Sequence, residues 1–225
     1  MFNRQRRPFR FWRLGGVSIT KFRNPMLANR MITGAFLSFF LLTGVVAQTP
    51  SMTTIGCRWQ DSFVEWEIFA TPDARDLEEG EEPTEELYGE LKLRWLNVRD
   101  DWSEWDYELG GQRGTIRQKW KDDPQQWELR NYASAVITMR TAWNGDLKEW
   151  RVSDNSITLN IKSKWTNQLD EWVVKDENYG SLYLYTLRSR DPRDWAIEDH
   201  LDPAISEEMK LAMIFLVIYN TTPRI

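Results

Sequence analysis

The chain has 225 residues, with 34 acids, 29 bases, 13 Trp, one His and one Cys. A single His and a single Cys leave almost no material for multi-His metal sites or for Ser-His-Asp and Cys-His catalysis. All the acids follow Ala47, so residues 48–225 hold 21 bases against 34 acids, a net charge of −13. Such a surface argues against nucleic acid, whose phosphates reward clustered Lys and Arg.

The first 30 residues carry eight bases and no acid, and the apolar run Met31 to Ala47 follows, ending Val45-Val46-Ala47. This pattern predicts a secretory signal peptide over residues 1–47. The alternative is a signal anchor, since a run of 17 residues is at the short edge of what spans a bilayer. Removal of the signal would leave no integral membrane span and place the rest of the chain outside the cytoplasm, as a secreted, periplasmic or cell-surface protein.

Residues 48–201 form a hairpin-repeat region. Cys57 has no internal disulfide partner and reads as a half-buried strand residue. Trp59 and Trp66 mark a first hairpin. An acidic stretch follows over 71–86, with eight acids and one base; charge of one sign at that density predicts a solvated loop. It lacks the D-x-D-x-D-G spacing of a calcium loop. A wider hairpin carries Trp95 and Trp105, with Trp102 in its turn.

The three units GTIRQKWKDDPQQWELR, ITMRTAWNGDLKEWRVSD and LNIKSKWTNQLDEWVVKD come next, each with two Trp around six residues. Trp105, Trp127, Trp150, Trp172 and Trp195 are separated by 22, 23, 22 and 23 residues, the mark of a repeat architecture. Within each unit, apolar residues alternate with polar ones, as strands with one dry face do. Asn, Asp, Gly and Pro between the Trp pairs supply turns. The even spacing predicts that paired Trp residues face each other across the hairpin. Lys119 would then oppose Glu128, Arg58 would oppose Glu67 and Arg94 would oppose Asp106. On this reading Trp59, Trp66, Trp95, Trp105, Trp120, Trp127, Trp143, Trp150, Trp165, Trp172 and Trp195 form one structural ladder. Gly110 to Gly114 reads as a turn opening a strand, which is not a phosphate-cradling arrangement.

In the last unit Arg188 replaces the first Trp, and Tyr183 and Tyr185 stand on the outer face, as suits an atypical terminal repeat. Residues 202–225 predict a C-terminal helix and tail. Asp202 serves as N-cap, Pro203 as first helical residue and Glu207 and Glu208 lie in the early turns. Leu211 to Tyr219 is apolar all round, which calls for burial on several sides; its β-branched residues leave a strand as the alternative. His200 reads as a capping or surface residue.

Six hairpins give twelve strands, about 58 Å across if flat. One helix could not cover so wide a Trp face. The fold class expected is therefore mainly β: an antiparallel meander, curled or barrel-like, with the C-terminal helix packed on the Trp face.

Function is expected to lie in protein contacts or self-association, a non-catalytic structural or assembly role with no cofactor or metal. The alternative is a module that binds glycans or other ligands through irregular aromatics, Trp102, Tyr183 and Tyr185. Trp102 would face water or a partner unless it folds back over the sheet edge. A minor alternative is a glycoside hydrolase-like carboxylate pair, drawn from Asp100, Asp101 and Glu104, or from Asp170 and Glu171.

Overall fold

A computed structural model describes residues 50–72, 84–98 and 101–223. The signal segment expected over 1–47 and most of the acidic loop lie outside them. Twelve antiparallel strands run as a meander: β1 (Ser51–Cys57), β2 (Glu65–Thr71), β3 (Glu86–Leu93), β4 (Glu104–Leu109), β5 (Gln112–Gln118), β6 (Gln126–Asn131), β7 (Val136–Thr141), β8 (Glu149–Ser153), β9 (Thr158–Ser163), β10 (Glu171–Asp176), β11 (Gly180–Arg188) and β12 (Asp191–Leu201). The last strand pairs with the first, Ile55 facing Trp195, and the sheet is a closed barrel. Strands with one apolar face are satisfied this way, because closure gives every strand two neighbours and the apolar face one interior. Along β4, Trp105, Tyr107 and Leu109 are buried while Glu104, Asp106 and Glu108 stand partly in solvent.

The interior is filled by the helix α1 (Glu207–Thr221). Every residue from Met209 to Tyr219 is buried, which accounts for a segment that is apolar all round. Phe215 packs edge-on against Trp105 and Trp127, with ring centroids 5.9 and 4.9 Å apart. Tyr219 packs on Trp127 at 4.6 Å. Each aromatic so placed contributes about 0.5–1.5 kcal/mol beyond the area it buries.

The helix starts later than Asp202. Ser206 is the N-cap, its hydroxyl accepting from the Met209 amide at 3.2 Å. Asp202 instead closes a turn: its carboxylate accepts from the Ala204 amide at 2.8 Å and its carbonyl from the Ile205 amide at 2.9 Å. Pro203 therefore lies in that turn. A chain leaving β12 must reverse into the barrel before it can coil, and Asp202 to Ile205 is the reversal.

The strand registers correct the facing-Trp expectation. Gln118 opposes Trp127, Thr141 opposes Trp150 and Ser163 opposes Trp172. Cys57 likewise opposes Trp66, Leu93 opposes Trp105 and Thr186 opposes Trp195. In every hairpin the partner of the second Trp thus sits two residues before the position where the first Trp was expected to pair. Trp59, Trp95, Trp120, Trp143 and Trp165 fall beyond the ladder, in the loops. The charged pairs move with the register: Arg117 opposes Glu128, Gly56 opposes Glu67 and Lys92 opposes Asp106. Arg58 still reaches Glu67 diagonally at 3.5 Å, and Arg94 reaches Asp106 at 3.0 Å.

Two inward positions, Gly89 and Gly114, admit no side chain without a shift. A Cβ on Gly114 would collide with the Arg130 carbonyl and meet the Tyr107 hydroxyl at 2.6 Å. Gly114→Ala is expected to destabilise the barrel by about 1–3 kcal/mol, read as a lowered urea midpoint; an unchanged midpoint would show that Tyr107 can move aside.

Candidate functional site

In a meander, alternate connections share one end of the barrel. The β1–β2, β3–β4, β5–β6, β7–β8, β9–β10 and β11–β12 connections form one rim, and α1 points its C-terminus towards it. Five of these connections share a design. The residue before the first Trp donates its amide to the carbonyl before the second: Arg58 to Glu65, Arg94 to Glu104, Lys119 to Gln126, Ala142 to Glu149 and Lys164 to Glu171, at 2.8–3.0 Å.

Ahead of each buried Trp lies a five-residue motif, SFVEW, DWSEW, DPQQW, DLKEW, QLDEW and DPRDW. Where its first residue is Asp, the carboxylate accepts the amide two residues on, as in Asp123 to Gln125 and Asp146 to Lys148, both 2.9 Å. This Asx turn brings the second residue's carbonyl over the indole. The buried Trp then donates Nε1–H to it: Trp66 to Phe63, Trp105 to Trp102, Trp127 to Pro124, Trp150 to Leu147, Trp172 to Leu169 and Trp195 to Pro192, all within 2.8–3.2 Å. Each buried indole is satisfied by the loop it anchors. Cys57 belongs to the same apparatus. Its thiol lies 2.8 Å from the Ser62 carbonyl and 3.3 Å from that of Trp59, while Ser163, at the equivalent place, lies 2.9 and 2.8 Å from the carbonyls of Gln168 and Trp165. Burial holds the Cys57 thiol above the ordinary thiol value, which disfavours the reactive thiolate.

The first Trp of each pair stays in solvent. Trp59, Trp95, Trp120, Trp143 and Trp165 are 48, 41, 59, 63 and 47% exposed. Three of them are held nonetheless. Trp59 and Trp143 donate to Glu65 and Glu149 at 3.1 Å, and Trp165 hydrogen-bonds Glu171. Arg58 lies over Trp59 at 5.8 Å and Lys164 over Trp165 at 5.2 Å. The hydrogen bond from Lys164, then that from Trp165, draws the Glu171 carboxyl below its usual range.

The loops also brace one another. The Gln125 side chain accepts the Gly145 amide at 2.5 Å, Lys148 donates to the Thr166 carbonyl at 2.7 Å, and Arg193 donates to the Gln60 carbonyl at 2.9 Å. All three bracing residues hold the same place, two before a buried Trp. Trp59, Trp143 and Trp165, with both a braced loop and a side-chain partner, have little left to order on contact.

Between the β9–β10 loop and the β11–β12 turn the rim opens into a cleft of about 470 Å³, whose lining includes Asp170, Thr186, Arg190 and Trp195. Asp170 Oδ1 is buried there without a hydrogen-bond partner. An opening of like volume lies on the same rim beside Ser103, Arg117 and Lys121, and a smaller one, about 300 Å³, lies at the helix N-terminus beside Tyr88, Tyr107, Gln112 and Glu208.

The residues expected to bind ligand are not gathered in one place. Trp102 is half-buried and lies against Trp105, ring centroids 5.8 Å apart; it is the apolar residue of its motif, folded back over the sheet edge. Tyr183 and Tyr185 stand on the outer wall of β11. Lys175 lies 5.6 Å from the Tyr183 ring, and Tyr185 donates to Glu198 at 3.0 Å. Of the carboxylates, Asp101 binds the Ser103 amide at 3.0 Å, Glu104 pairs with Arg94 and Glu171 with Lys164; Asp100 lies outside the described residues. His200 is exposed on β12.

Sequence reading missed the five-residue motif because the Trp pairs drew attention to the wrong spacing; the acid or Gln before every buried Trp was the available signal. Among the described residues no group of three or more His, Cys, Asp or Glu could hold a metal ion, and no helix is long and apolar enough to cross a membrane. Compared with protein-family models, curated proteins and solved structures, the chain matches none.

Proposed function

We propose that this is a non-catalytic assembly or binding module whose working surface is the indole-bearing rim, and that its partner is a protein, another copy of the chain included. The observation that supports this is the five half-exposed Trp at one end of the barrel, four of them, Trp59, Trp120, Trp143 and Trp165, on braced loops. Isolated apolar residues at a surface need no explanation, whereas a recurring series of them favours an interface. Trp and Arg are the residues most enriched among energetically dominant contacts. A basic residue precedes four of the five, Arg58, Arg94, Lys119 and Lys164, so each such loop offers an apolar plate beside a cation.

The test is a triple variant, Trp120→Ala, Trp143→Ala and Trp165→Ala. Because these side chains leave no core cavity, each change should alter stability by no more than about 0.5 kcal/mol. Sedimentation velocity and affinity capture from the native source, each run against the unaltered chain, should show self-association or a captured protein weakened at least about tenfold, some 1.4 kcal/mol. The same captured set and the same sedimentation in both proteins would sink the reading. The glycan-binding alternative expected at Trp102, Tyr183 and Tyr185 gains no support from their positions, which are not gathered in one place.

A further inference from the structure

The cleft lies at a place on the rim where no side-chain brace is made. Residues two before the buried Trp reach sideways to the next loop in three cases: Gln125 to Gly145, Lys148 to Thr166 and Arg193 to Gln60. Asp170 holds that place ahead of Trp172. Its neighbour is the β11–β12 connection, where Arg188 pairs with Asp191 across only Ser189 and Arg190. The other five connections carry six or more residues between their closing pairs. The Thr186 amide donates to the Asp170 carbonyl at 3.0 Å, but with so short a neighbour no donor among the described residues reaches the Oδ1 of its carboxylate, and the cleft opens beside it.

We propose that this cleft is a binding site for one residue of a neutral polyhydroxylated ligand, a saccharide. A buried carboxylate oxygen without a donor is destabilising, and a hydroxyl group that donates to it would remove that cost. Arg190 lines the same space and donates where Asp170 accepts, so the pair suits vicinal hydroxyls, each both donor and acceptor. Asn167 and Gln168, also in the lining, add amides that do both. One carboxylate and one guanidinium leave the site close to neutral, which favours an uncharged ligand over a cation or an anion. Leu169 and Pro192 supply an apolar edge for the ring's C–H face. The volume, about 470 Å³, falls in the range of small-molecule clefts, about 300–1,000 Å³. Arg190 holds a φ of 62°, a left-handed conformation uncommon for a residue other than Gly, which fixes the turn beside Asp170.

This proposal is independent of a protein partner at the rim. The experiment is saturation-transfer difference NMR on the full chain with millimolar glucose, galactose, mannose and N-acetylglucosamine, each as a separate probe. At least one is expected to receive saturation from the protein. That signal should fall at least about tenfold in Asp170→Ala and in Arg190→Ala, and persist in the triple rim variant. Asp170→Ala should melt no lower than the parent, since it removes an orphaned oxygen and breaks no side-chain bond; Arg190→Ala serves as the second readout if it melts lower. No transfer to any of the four sugars, or transfer unchanged in both variants, overturns the proposal. Protein capture unchanged in the triple rim variant, with sugar transfer behaving as expected, would confine the failure to the rim; capture weakened in that variant, with no sugar transfer, would confine it to the cleft.

Discussion

Trp150→Ala is expected to destabilise the barrel by about 3–5 kcal/mol, while Trp143→Ala, seven residues earlier in the same unit, should cost no more than about 0.5 kcal/mol. The two side chains are chemically identical and differ only in place. Trp150 is fully buried and its Nε1–H bonds the Leu147 carbonyl at 2.8 Å. Its loss opens a cavity beside the core helix and releases a carbonyl that fixes the β7–β8 loop. Trp143 is 63% exposed and bonds only Glu149. Urea denaturation of both variants, with the slope compared to confirm an unchanged unfolding surface, reads the contrast directly. Equal midpoints would mean that the division between buried and surface Trp is wrong. Trp150→Phe adds a finer comparison: it keeps most of the apolar volume and removes the donor, so the difference between the Phe and Ala variants separates packing from the loop-anchoring bond.

The barrel was legible because its signals are periodic. Alternation along each strand, a unit of 22–23 residues and a terminal segment too apolar for any surface combine to require a rolled meander around a helix. What was misread was local and had a single cause. Even spacing between Trp120 and Trp127 is compatible with two registers that differ by two residues, and both keep the inward face of every strand position. The choice between them is made by the Asx turn at Asp123 and the indole bond to Pro124, which shorten the ladder and move Trp120 into the loop. Nothing in the alternating pattern reports on that. The helix start was misplaced for a similar reason: Asp202-Pro203 and Ser206 both satisfy capping preferences, and only the need to turn the chain from β12 into the barrel selects the later one. Asp170 was visible as an acid beside a turn, but its isolation depends on the length of the neighbouring connection, which becomes adjacent only when the sheet closes.

Lys210→Met is expected to cost about 3–5 kcal/mol, because it strands a charge inside the barrel. Lys210 is 8% exposed. Its ammonium group lies 2.8 Å from Asp199 Oδ2 on β12 and 3.2 Å from Glu207 Oε1 one helical turn back. Burial alone would lower its pKa, but the hydrogen bond to Asp199, with the fields of Glu207 and Asp199, outweighs it and holds the group above the ordinary lysine value. The sign of the pH dependence follows. A group whose pKa is raised by folding contributes stability that is fully present below its unfolded value, about 10.4, and is lost as pH rises through the folded value. The gap in unfolding free energy between the parent and Lys210→Met should therefore stay constant from pH 7 to about 9 and narrow only in strongly alkaline solution. A gap that closes near neutrality would mean that Lys210 is not held as an ammonium ion. Because the Asp199 carboxylate also accepts the Leu201 amide at 2.9 Å, Asp199→Asn combined with Lys210→Met keeps that bond and removes the orphaned charge. The double variant should be more stable than Lys210→Met alone. If it is not, the helix is held in the barrel by its apolar contacts and the ion pair fixes only its register.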